Sequence, residues 1–124
     1  MSQSAVRPAP ATFEVTTDHA VTVLTATGEL DNQVVDRLGH ALAEAIGRRP
    51  KALLLDLSRI AFCSAQTLRV LLDAHIDARA AGVACAMVST HPTVVRPIRL
   101  LRLDHLLQVH PDLEAAWRRL ALLS

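Results

Sequence analysis

The sequence predicts an α/β domain, with a mixed, mainly parallel sheet of about five strands covered by about four helices. Three observations point there. Short apolar runs of strand length alternate with longer stretches whose apolar residues recur at helical spacing. Two of the strand runs, Ala52-Leu53-Leu54-Leu55-Asp56-Leu57 and Val83-Ala84-Cys85-Ala86-Met87-Val88, are apolar throughout or nearly so, as expected of strands covered on both faces. The 124 residues suffice for one such domain and leave no room for a second.

Met1 to Thr12 mixes polar residues with Pro8 and Pro10 and lacks the basic start and apolar core of a secretory signal, so residues 1–12 read as a flexible leader and 13–124 as the domain. Phe13 to Val15 reads as a strand, Thr17-Asp18-His19 as a turn, and Val21 to Thr27 alternates with period two, which together make an antiparallel hairpin. Val34, Val35, Leu38, Ala41, Leu42, Ala45 and Ile46 then mark one face of an amphipathic helix, with Asp31 or Asn32 as its cap and Pro50 beyond its end. The Ala52–Leu57 strand follows. Leu68, Leu71, Leu72, His75 and Ile76 form the inner face of a second helix ending at Gly82, with Arg69, Asp73 and Asp77 outward. After the Val83–Val88 strand, Pro92 opens a third helix that Pro97 keeps short or kinked. Leu106-Leu107-Gln108-Val109 reads as a last strand, and Asp112 caps a final helix through Leu113, Ala116, Trp117 and Leu120.

Composition excludes several classes. Half the residues are apolar (51%), yet no stretch approaches the ~18 to 20 apolar residues of a bilayer span, which predicts a soluble protein without membrane insertion. Net charge is +1 and the arginines are scattered, so no nucleic-acid footprint is expected. Cys63 and Cys85 sit inside apolar segments without a CxxC or Cys/His cluster, and read as buried free thiols of a reducing cytoplasm. His40, His91, His105 and His110 are scattered singly and His75 faces the core, so neither a metal nor another cofactor is expected. Ser64 has no GxSxG or comparable setting to activate it, and no catalytic residue is assigned. Asp56 at a strand end reads as turn structure.

Four motifs carry a family resemblance: Gly28-Glu29-Leu30-Asp31 after the second strand, Leu55-Asp56-Leu57-Ser58 with Phe62 four residues on, Leu68-Arg69-Val70-Leu71-Leu72, and Leu103-Asp104 before the last strand. In this order and spacing, from Phe13 to Ala121, they resemble the STAS domain, in particular the bacterial anti-sigma factor antagonists. The resemblance implies a non-catalytic regulatory domain whose partner is an anti-sigma factor of the serine-kinase/ATPase fold. In such antagonists the turn after the phenylalanine usually reads Asp-Ser-Ser-Gly, and the partner kinase phosphorylates the first serine.

Here that turn is Ser64-Ala65-Gln66-Thr67. Ala65 holds the phosphoacceptor-equivalent place and has no hydroxyl, so the usual switch cannot operate there. Either the domain binds its partner without that switch, or it has left the circuit and binds something else. Ser64 reads first as the helix N-cap and second as an alternative phosphosite. The expected partner surface comprises Asp31, Asn32, Ser64, Ala65, Gln66, Thr67, Arg69 and Asp73. Small STAS proteins are also similar to accessory subunits of membrane lipid ABC transporters, and a small-ligand or nucleotide sensor with its pocket under the third helix is a further reading. Gly28 alone is no phosphate-binding loop.

Overall fold

The computed structural model describes residues 11–104, 106, 107 and 109–123. Of the expected leader, residues 1–12, the first ten lie outside them, as do His105, Gln108 and Ser124, while Ala11 and Thr12 belong to the folded part. Strand β1, Thr12–Asp18, and β2, Val21–Leu30, form the expected antiparallel hairpin, paired from Thr12 with Thr27 to Asp18 with Val21. Its turn residues His19 and Ala20 both have positive φ (51° and 68°), as a tight two-residue hairpin turn requires. Ala11, ahead of β1, is already buried. Asp31 then caps a short 3-10 turn, Asn32–Val34, that leads into α1, Val35–Gly47, which buries Leu38, Leu42 and Ala45.

Strand β3 runs from Ala52 to Cys63, well past the Leu57 end expected from the apolar run. The reason is a bulge. The register with β2 shifts between Thr25, opposite Asp56, and Thr27, opposite Arg59, and exposes Ser58 and Arg59 there. The buried Asp56 carboxylate satisfies that irregular segment, accepting from the Ser58 backbone N–H (3.0 Å) and hydroxyl (2.6 Å). Its role is structural, as the sequence suggests.

Helix α2, Ala65–Ala80, strand β4, Ala84–Val88, helix α3, Pro92–Leu100, strand β5, Val109–His110, and helix α4, Leu113–Leu123, complete the order. The five strands lie in the order β1-β2-β3-β4-β5, antiparallel in the first pair and parallel in the other three. The fold class therefore matches the expectation. Three further details differ from it, the first being that Thr17 and Asp18, expected in the hairpin turn, are the last residues of β1. Ile76 is 53% exposed instead of facing the core, and the last strand is only Val109–His110. Leu106 and Leu107 belong to a turn closed by the Leu107 N–H on the Leu103 carbonyl (2.8 Å), with Leu107 buried against the core.

The pleat of β3 divides the interior. Leu53, Leu55 and Leu57 join Leu24, Leu30, Leu38, Leu42, Leu71, Met87 and Ile98 in the larger cluster, which the first three helices cover. Ala52 and Leu54 join Val21, Ala86, Val88, Ala116 and Leu120 in a smaller one under α4. Asp112 Oδ1 accepts from the Ala115 N–H (2.8 Å), the expected cap of α4. Cys63 and Cys85 are buried free thiols, each pushed up to about 12 by burial.

His75 is buried on α2, and its Nδ1 has no hydrogen-bond partner. Burial lowers its pKa below the ordinary 6.5, the hydrogen bond with the Leu106 backbone opposes this, and Arg79 adds to the lowering. A histidine whose folded pKa lies below its unfolded one leaves stability untouched above the unfolded value. As pH falls below it, the unfolded chain takes up the proton first and stability drops, levelling off below the folded pKa. Thermal unfolding followed by circular dichroism should therefore show Tm falling from about pH 7.5 to about pH 5, with a shallower fall in His75→Leu. Part of the slope should remain in that variant, because burial and Arg119 also lower His110 against the opposing pull of Asp112.

Candidate functional site, the rim at the start of helix α2

The parallel ladder of β2 and β3 ends with Leu30 opposite Cys63, so Asp31 and Ser64 leave the sheet side by side at its carboxyl edge. The Ser64 N–H donates to the Leu30 carbonyl (2.8 Å) and extends the pairing by one step. Ser64 then caps α2: its Oγ accepts from the Thr67 N–H (3.1 Å) and donates to Thr67 Oγ1 (2.9 Å). Thr67 Oγ1 in turn donates to the Asp31 carbonyl (3.0 Å). These hydroxyls bind the first turn of α2 to the loop after β2, across 36 positions of sequence.

Thr67 is fully buried. This corrects its expected place on the contact surface: the side chain is consumed in holding the rim from beneath. The other seven expected residues come together at or near the surface. Asn32, Ala65, Gln66, Arg69 and Asp73 are exposed, and Asp31 and Ser64 are half-buried. Asp31 Oδ1 accepts from the Gln33 N–H (2.9 Å), so Asp31 is a cap whose carboxylate still reaches the rim. Arg69 Nε meets Asp73 Oδ1 at 3.4 Å, a long pair between exposed side chains one helical turn apart.

Sequence reasoning missed a third support. The Cys63 N–H, at the last residue of β3, donates to Thr93 Oγ1 (2.9 Å). His91 Nδ1, the cap of α3, lies 2.8 Å from the same oxygen and accepts from the Thr93 N–H (3.2 Å). With Nδ1 unprotonated, the Thr93 hydroxyl donates to it while accepting from Cys63, so every group is satisfied. The signal was the His91-Pro92-Thr93 helix start, a capping pattern that His91 as an isolated histidine conceals. Beside the rim, α2 and α3 enclose a cleft of about 490 Å³ lined by Phe62, Ala65, Leu68, Arg69 and Leu101 among others.

Among the described residues, no group of three or more His, Cys, Asp or Glu side chains could hold a metal ion, and no helix is long and apolar enough to cross a membrane. What the rim offers is a shaped, mixed-charge surface around an exposed methyl group.

The chain belongs to the STAS domain family, which it matches over residues 12–116. Within that family it resembles the anti-sigma factor antagonists, a non-catalytic class. It is similar to the anti-sigma-F factor antagonist RsfB of Mycobacterium tuberculosis, 29% identical over 109 residues and 88% of each chain. An anti-sigma factor antagonist from Mycobacterium paratuberculosis superposes with a TM-score of 0.80 at 25% identity, covering 90% of this chain and 95% of that one. The phosphorylated Bacillus cell fate determinant SpoIIAA shares the fold, with a TM-score of 0.69 at 17% identity over 86% of this chain and 98% of that one.

If the hydroxyl chain holds the rim, Ser64→Ala should cost about 1 kcal/mol through loss of the cap. Thr67→Val, which leaves the Asp31 carbonyl without its donor, should cost about 1–3 kcal/mol. Urea unfolding curves of the two variants measure both, and a Thr67→Val curve superposed on the parent's contradicts this account of the rim.

Proposed function

We propose that this domain is a protein-binding module that docks an anti-sigma factor of the serine-kinase/ATPase fold in the cytoplasm, through a rim that phosphorylation does not switch at position 65. The observation that carries the reading is Ala65, which stands exposed on the first turn of α2 and which, by the family resemblance, takes the place of the phosphoacceptor serine. A phosphate there would bring about −1.5 to −2 charges to a helix N-terminus able to hold it, and so remodel the surface a partner meets. A methyl group accepts no phosphate, so affinity is not gated at that position.

Ser64 does not take over as acceptor in this reading. Its hydroxyl already accepts from one group and donates to another, and phosphorylation would require breaking the cap. Asn32, Gln66, Arg69 and Asp73 supply the exposed contacts around Ala65, and Thr67 fixes their relative positions. The similarity to RsfB and the burial of both thiols, consistent with a reducing compartment, support the proposal.

Calorimetry with the purified anti-sigma factor of the same cell tests the surface. Arg69→Glu or Asp73→Lys should weaken the complex about tenfold or more, while Tm stays near the parent value, as is usual for exposed substitutions. Affinity indifferent to both changes refutes this surface. Incubation with that kinase and ATP, followed by mass spectrometry, tests the switch. The parent should take up no phosphate, whereas Ala65→Ser should be modified at residue 65 and then bind more weakly. Phosphate on Ser64 of the parent overturns the unswitched reading.

A further inference from the structure

We infer that the cleft between α2 and α3 is a binding site for a single-chain anionic amphiphile, an apolar tail ending in a carboxylate or similar anion. The cleft, about 490 Å³, lies within the ~300–1,000 Å³ range of small-ligand sites. Phe62, Leu68, Leu72, Ile98, Leu101 and Leu107 form its walls. Two of these walls keep apolar surface in water, Phe62 at 40% exposed and Leu101 at 67%, and a tail lying between them would cover part of both.

The head-group chemistry follows from what polar groups remain. Thr93 lines the cleft, but its hydroxyl is committed to the Cys63 N–H and His91. Cys63 is also part of the lining, and burial holds its thiol protonated, so it offers no charge. Arg69 is the one charged side chain among the described lining residues, and no carboxylate lines the cleft. Its side chain is 74% exposed and the guanidinium only loosely engaged with Asp73, which leaves donors free for a bidentate anion. An apolar trough with a single cation at its lip fits an anion with a hydrocarbon body and repels a cationic one.

This site is independent of the proposed partner, though Ala65 and Arg69 border both. An occupied cleft and a docked protein therefore contend for the same corner of the domain.

The test is titration of dodecanoate, below its micelle concentration, into the free full chain by calorimetry, with dodecylammonium as the cationic counterpart. Saturable binding of one dodecanoate per chain is expected, with dodecylammonium weaker by about tenfold or more. Arg69→Glu and Leu101→Asp should each weaken dodecanoate by a similar factor, and Arg48→Glu, on an exposed part of the first-helix end, should leave it unchanged. Binding that never saturates, equal affinity for the two amphiphiles, or indifference to both cleft substitutions overturns the inference. Because no partner protein is present, failure here leaves the anti-sigma reading standing, and failure of that reading leaves this one.

Discussion

The parallel pairing of β2 with β3 decides where everything on the rim ends up. The ladder holds from Val21 opposite Ala52 to Leu30 opposite Cys63, absorbs two register shifts on the way, and delivers two chain ends to one place. Without it, Asp31 and Ser64 would be distant in space as they are in sequence. With it, a serine, a threonine and a backbone carbonyl close into a short chain of hydrogen bonds, and the first turn of α2 acquires a fixed orientation. The central strand can act in this way because both its faces are covered, by three helices on one side and α4 on the other, so slipping its register would expose an apolar row.

How much of this was legible in the sequence depended on whether the information was local. The hairpin, the four helices and the caps at Ser64 and Asp112 are set by neighbouring residues and could be read directly, whereas the cap before the first helix is narrowed by sequence only to Asp31 or Asn32 and serves a 3-10 turn. The extent of β3 could not. Ser58 and Arg59 break the apolar run at the bulge, and the continuation to Cys63 is held by pairing with β2. Leu106 and Leu107 look like a strand because two adjacent leucines suit one, yet a return contact to Leu103 makes them a turn. Ile76 has helical spacing with Leu72 but falls just outside the covered arc of α2.

At the site, the residues recognised through family motifs did gather at one edge, and the exception is instructive. Thr67, expected on the contact surface, is fully buried. Its hydroxyl found a use that only the folded chain reveals, because the acceptor belongs to Asp31. The cleft is similar in kind: its two walls come from helices separated by a strand, and no single segment carries its outline.

The smaller layer has an experimental consequence of its own. Trp117, the chain's one tryptophan, sits on α4 and packs against Val21, Ala52 and Ala84's side of the sheet, on the face away from α2. Its fluorescence consequently reports the docking of the last helix and is a poor witness to events at the opposite face. Agreement between emission and far-ultraviolet dichroism during denaturation would thus be a direct measure of whether the two layers melt as one cooperative body.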